Sequence, residues 1–173
     1  MVNNNYFSIN EDLDFALLKA FNEETNLFRS LERTPEKHYY DVSGKTVNDK
    51  DVIIEIKHRN LNIIKNENGE WKISGCSSSN NTFFDDNILL STDKGIDILF
   101  DALVYNKIPL HITICNNGII IHNLLKLNHR PKRISQIKTV NHGYRAMEKA
   151  SKQGLYLDSA VLYLNNNGKW ERQ

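Results

Sequence analysis

The stretch 39-YYDVSGKTVNDKDVIIEIKHRN-60 places a short apolar run, DVIIEIK, directly after a polar segment, SGKTVNDK. β-Branched residues flanking a polar, turn-forming segment read as two strands of a hairpin, with the turn around residues 44–50. Alternation in a strand then puts Val52, Ile54 and Ile56 on one face and Asp51, Ile53, Glu55 and Lys57 on the other. The first face can pack on a helix. The second carries an acid and an amine in a strand whose neighbours mark it as central, and buried charges are costly unless paired or bound to a metal.

The hairpin also brings Asp41 roughly opposite Ile53 to Glu55. Two carboxylates on adjacent strands repel unless a cation lies between them. A hard divalent ion with oxygen ligands suits such a site, and Lys57 beside it could steady a developing oxyanion or orient water. Asp51 shares the face of Glu55 but lies about 13 Å from it along the strand, too far to share one ion. A third acid comes from upstream. Leu13, Leu17, Ala20, Phe21, Leu27, Phe28 and Leu31 form a helical stripe over residues 10–32. Glu24 falls on that stripe, and an acid that breaks an apolar pattern is a candidate functional residue.

Asp41, then Glu55-Ile56-Lys57 after thirteen intervening residues, all following a helix that bears an acid, resembles the PD-(D/E)XK nuclease superfamily. The resemblance implies a core of helix, three-stranded antiparallel meander, helix and further strand. Residues 10–115 are expected in that order: helix 10–32, strands near 38–43, 51–57 and 61–65 or 71–74, helix 92–106 with Ile96, Leu99, Phe100 and Leu103 inward, and strand 109–115. By position it makes Asp41 and Glu55 ligands of Mg²⁺ or Mn²⁺, joined by Glu24 and the Ile56 carbonyl, and Lys57 the catalytic lysine. Tyr40 stands where the name-giving proline would be.

The expected class is therefore α/β (α+β): a restriction-endonuclease-like core over about 10–127, with a central mixed sheet flanked by helices. A basic C-terminal α/β extension over about 128–173 contains a helix from about His142 to Gln153 and a final strand, DSAVLYL. The 173 residues suit one domain. Formal charge is only +1, but the basic residues gather in the C-terminal third, among them Arg130, Lys132 and Arg133 in HRPKR. These, with His58 and Arg59 at the strand end, are candidate phosphate contacts. His111 and His122 read as structural.

Cys76 and Cys115 form neither a metal-ligand spacing nor a disulfide framework, which points to a reducing, cytoplasmic setting. No stretch is apolar and long enough to span a bilayer. The expected activity is metal-dependent phosphodiester hydrolysis, with DNA placed ahead of RNA as substrate and a phage or mobile-element setting by analogy with the family. A homodimer through the edge of PLHITIC or AVLYL is open. The alternative is a nuclease-like fold without catalysis, acting as a nucleic-acid-binding or protein-assembly module.

Overall fold

The computed structural model describes residues 5–35, 38–75, 87–126, 134–137 and 150–173. Helix α1 (Asn5–Thr25) precedes strands β1 (Phe28–Arg33), β2 (Val42–Thr46) and β3 (Asp51–His58). A hairpin, β4 (Leu61–Lys65) and β5 (Trp71–Gly75), follows. Then come β6 (Asn87–Ser91), helix α2 (Thr92–Val104), β7 (Ile108–Cys115) and β8 (Gly118–Asn123). The last strands are β9 (Ile134–Ile137), β10 (Ala150–Tyr156), β11 (Ala160–Asn166) and β12 (Lys169–Arg172). Among the described residues the fold is α+β, built on a seven-stranded sheet of order β1-β2-β3-β7-β8-β11-β12. Every neighbouring pair in it is antiparallel except β3–β7, which is parallel. Strands β6, β10 and β9 form a second sheet, and β4–β5 pair only with each other.

The central strands are buried on both faces. On one side, Leu18 and Phe21 of α1 pack on Val42, Val52, Ile54, Ile56, Ile112, Ile119 and Tyr163. Phe21 sets its ring edge-on against both Tyr163 and Trp170, with centroids 5.0 Å apart in each case. On the other side, Ile53, Ile120 and Leu162 pack on Ile63, Ile73, Ile88, Leu90, Ile98 and Ala102 from β4, β5, β6 and α2. The alternation in β3 thus falls as its sequence indicates, with Val52, Ile54 and Ile56 toward the first helix.

Several expected elements are corrected. The helix expected over 10–32 begins earlier and stops at Thr25, and residues 28–33 are a strand. Asn26 takes the left-handed conformation at φ 49°, which ends a helix readily. The Asn22 side chain then clamps Phe28, accepting from its N–H at 2.7 Å and donating to its carbonyl at 2.9 Å. The Leu27, Phe28 and Leu31 spacing fits a helix, but tertiary pairing with β2 wins. The meander is therefore β1-β2-β3, and residues 61–65 and 71–75 stand outside the main sheet. Residues 44–46, expected in the turn, extend β2, and the turn narrows to 47–50.

Helix α2 is rotated from its expected orientation. Gly95, Ile98 and Ala102 face inward, while Ile96, Phe100 and Leu103 are exposed at 58%, 69% and 70%. Ile98 is fully buried on this inward face, and Leu99 packs partly buried against the same core. Ala150–Gln153, expected in a helix, is a strand that pairs with β6 and β9. The rest of that expected helix, and the loop at 76–86, lie outside the described residues. PLHITIC and AVLYL are interior strands, β7 and β11, so neither offers an edge for a dimer. Among the described residues no helix is long and apolar enough to cross a membrane.

Phe21 is fully buried between α1 and the sheet. Phe21→Ala is expected to cost about 3–5 kcal/mol, as for other large core truncations. Urea denaturation followed by circular dichroism measures it.

Candidate active site

Asp41 sits one residue before β2 and is held at three points. Its N–H donates to the Ile54 carbonyl at 3.0 Å, and its own carbonyl accepts from Thr34 N–H at 3.0 Å. Its side-chain Oδ2 accepts from Ile56 N–H at 2.8 Å. This places Asp41 one step beyond the Val42–Ile54 pair, beside Glu55. The side chain of Glu55 has no solvent exposure.

Two ammonium groups bridge the acids. Lys57 Nζ lies 2.7 Å from Glu55 Oε1 and 3.9 Å from Asp41 Oδ2. Lys94, in the first turn of α2, pairs with Glu55 Oε2 and stands 3.7 Å from Asp41 Oδ1. The result is a small array of alternating charge. Each Glu55 oxygen meets one ammonium group, so the buried carboxylate is charge-paired on both sides. Burial pushes the Glu55 carboxyl above its usual value, against the pull of Lys57 and Lys94. For Lys57, burial acts to lower its value, but Glu55 and Asp41 outweigh it and hold the ammonium above its usual range. Lys57 is thus a fixed positive charge near neutrality.

A cleft of about 140 Å³ opens beside this cluster, lined by Asp14, Arg33, His38, Tyr40, Asp41, Lys57 and Lys94 among others. Asp14 comes from α1. Burial raises its carboxyl, partly offset by His58 and Lys57, and its Oδ1 lies 3.4 Å from His58 Nδ1. Arg33 pairs with Asp12. Arg59 is mostly covered, and burial lowers its value; its N–H donates to the Ile114 carbonyl at 2.9 Å.

The structure brings Asp41, Glu55 and Lys57 together. Ile56 contributes its N–H to Asp41, and its side chain packs on the α1 face. Glu24 does not join them. It is exposed and lies ten residues beyond Asp14, about 15 Å along the helix axis. The buried stripe of α1 runs through Leu18 and Phe21, whereas Leu13 and Leu17 are exposed, so the acid on the true stripe is Asp14, four residues before Leu18. His58 is exposed at the end of β3, and Asp51 pairs with Lys45 at 2.8 Å. Arg130, Lys132 and Arg133 lie outside the described residues.

Lys94 carries no signal in an apolar stripe read through Ile96 and Phe100. Read through Gly95, Ile98 and Ala102, it falls four residues before Ile98, on the inward face. Among the described residues no three His, Cys, Asp or Glu side chains form an enclosing metal site. Asp41 and Glu55 fit an open seat instead, in which a hard cation keeps water or substrate oxygens as its other ligands. The two carboxylates brought by adjacent strands to the wall of one open cleft are the observation that favours this.

Next to Glu55 in register on β7 is His111, and next to that on β8 is His122. Both are buried. His122 Nε2 lies 3.0 Å from the Tyr156 carbonyl, while among the described residues His122 Nδ1 and His111 Nε2 have no hydrogen-bond partner. Burial lowers His111 well below its usual range and His122 to about 4. Comparison of the chain with protein-family models, with curated proteins and with solved structures found no match.

The histidine pair predicts an acid-sensitive fold. Between pH 6.5 and about 4 the unfolded chain binds protons that the folded chain refuses, so stability falls as pH drops through that window. His122 alone should account for roughly 2–3 kcal/mol by pH 4. Urea midpoints across that range should decline in the wild type and decline less in His122→Gln.

Proposed function

We propose that this protein is a divalent-cation-dependent nuclease of the PD-(D/E)XK type. The observation that carries the reading is the convergence of Asp41 and Glu55, from adjacent strands, on the same two ammonium groups at the wall of an open cleft. The element order supports it. A helix, the antiparallel meander β1-β2-β3, helix α2 and strand β7 follow the sequence of elements that the resemblance implies.

Asp41 and Glu55 would hold Mg²⁺ or Mn²⁺, with Asp14 rather than Glu24 as the acid supplied by the helix. Such an ion, when bound, polarises a phosphoryl oxygen and lowers the pKa of coordinated water. Lys57 stays protonated, so its role is to stabilise negative charge on the phosphate and orient the attacking water, not to remove a proton. His58 at the rim and the basic residues of the C-terminal third would contact the backbone of the nucleic acid, DNA being the first substrate to test.

One observation favours the non-catalytic alternative. The cluster is electrically closed, two carboxylates against two ammonium groups, and such an array can serve as a structural ion network. Cleavage decides between the two. Plasmid and single-stranded DNA, and RNA, incubated with Mg²⁺ or Mn²⁺ should be cut by the wild type and spared in chelator. Glu55→Gln and Lys57→Met should each lose about 10²–10³-fold in rate, the scale of removing one transition-state charge contact. Metal-dependent cutting retained in both variants removes the assignment, and no cutting of any substrate favours the binding module.

A further inference from the structure

The four carboxylate oxygens of the cluster are not equivalent. Asp41 Oδ2 already accepts from Ile56 N–H at 2.8 Å, and Glu55 Oε1 is held by Lys57 at 2.7 Å. The remaining two, Asp41 Oδ1 and Glu55 Oε2, are those that Lys94 bridges. Asp41 Oδ1 is the oxygen that the Ile56 N–H leaves open, and Glu55 Oε2 faces the same ammonium group. We propose that the Lys94 ammonium is a resident counter-ion in the cation's seat, holding the acids together in the metal-free protein and leaving when a divalent ion enters. The inference rests on reading the cluster as a metal site.

Charge balance favours such an exchange. Asp41, Glu55 and Asp14 face two ammonium groups, so a divalent ion added to the intact array would leave +1 beside a carboxylate that water cannot reach. Like charges at this spacing in a poorly solvated site repel strongly. Release of one ammonium removes that excess. Lys94 is the one to move, because Lys57 sits on the Asp41 oxygen that the Ile56 N–H already occupies. The Lys94 side chain is 26% exposed and lines the cleft, so a displaced amine stays in the cleft. There it can meet a phosphate group. Metal entry thus transfers a positive charge from the acid pair to the substrate side of the site, and couples affinity for the metal to affinity for phosphate.

The test is Mn²⁺ binding by titration calorimetry, without nucleic acid, to the wild type, Lys94→Met, Lys94→Arg and Asp41→Asn. Lys94→Met removes the competing charge and should bind Mn²⁺ roughly ten- to a hundredfold more tightly, the factor carried by one charge-assisted contact. Lys94→Arg keeps the charge and should remain near wild type. With inorganic phosphate as probe, Mn²⁺ should strengthen phosphate binding in the wild type and much less in Lys94→Met. Circular dichroism checks folding, and Lys94→Gln replaces Lys94→Met if that variant is unfolded. Wild-type uptake that Asp41→Asn abolishes, with no tightening in the neutral variants, overturns this inference and leaves the metal site standing. No uptake by any variant overturns both.

Discussion

A buried carboxylate is among the most expensive groups a fold can contain, and the arrangement around Glu55 follows from that cost. Leaving such a charge without its partner is worth about 3–5 kcal/mol of destabilisation. Lys57 comes from the same strand, and its place is set by alternation alone. Lys94 comes from α2, whose Gly95, Ile98 and Ala102 face the core. Asp41 is locked by backbone hydrogen bonds from Thr34 and to Ile54 and by the Ile56 N–H on its side chain. Hairpin register, helix packing and loop geometry therefore converge on one small volume. Displacing any of them exposes the same electrostatic debt.

Much of this was legible in the order of residues. The polar turn before DVIIEIK gives the hairpin, the hairpin gives the register, and the register brings Asp41 to Glu55. A period of two then selects Lys57. What depended on helical phase was not legible. In α1 the choice between the Leu13/Leu17 stripe and the Leu18/Phe21 stripe is a rotation of about one residue, and it exchanges Glu24 for Asp14. In α2 Ile96, Phe100 and Leu103 point outward while Gly95, Ile98 and Ala102 point inward, so a stripe read through Ile96 and Phe100 hides Lys94. The end of α1 is set by Asn26 in a left-handed conformation and by the Asn22 clamp on Phe28, and the expected helix runs past both. In each of these cases close packing or strand pairing outweighed local pattern.

The chemistry follows from the same layout. Pairing of Asp41 and Glu55 with two ammonium groups lets the chain fold with its acids satisfied, and on the proposed reading a cation and a phosphate would exchange for one of the amines in the open cleft beside it. The row from Glu55 through His111 to His122 extends polar groups deep into the sheet. Its two histidines are held below their usual range by burial, so the row adds no positive charge beside Glu55 near neutrality.

The central claim is that a divalent ion takes its place between Asp41 and Glu55. Anomalous diffraction from crystals soaked in Mn²⁺ tests it most directly. The expected result is one strong peak bonded to Asp41 Oδ1 and Glu55 Oε2, with the Lys94 amine withdrawn into the cleft. A saturating soak that leaves both ammonium groups on the carboxylates, with no peak between them, would contradict it.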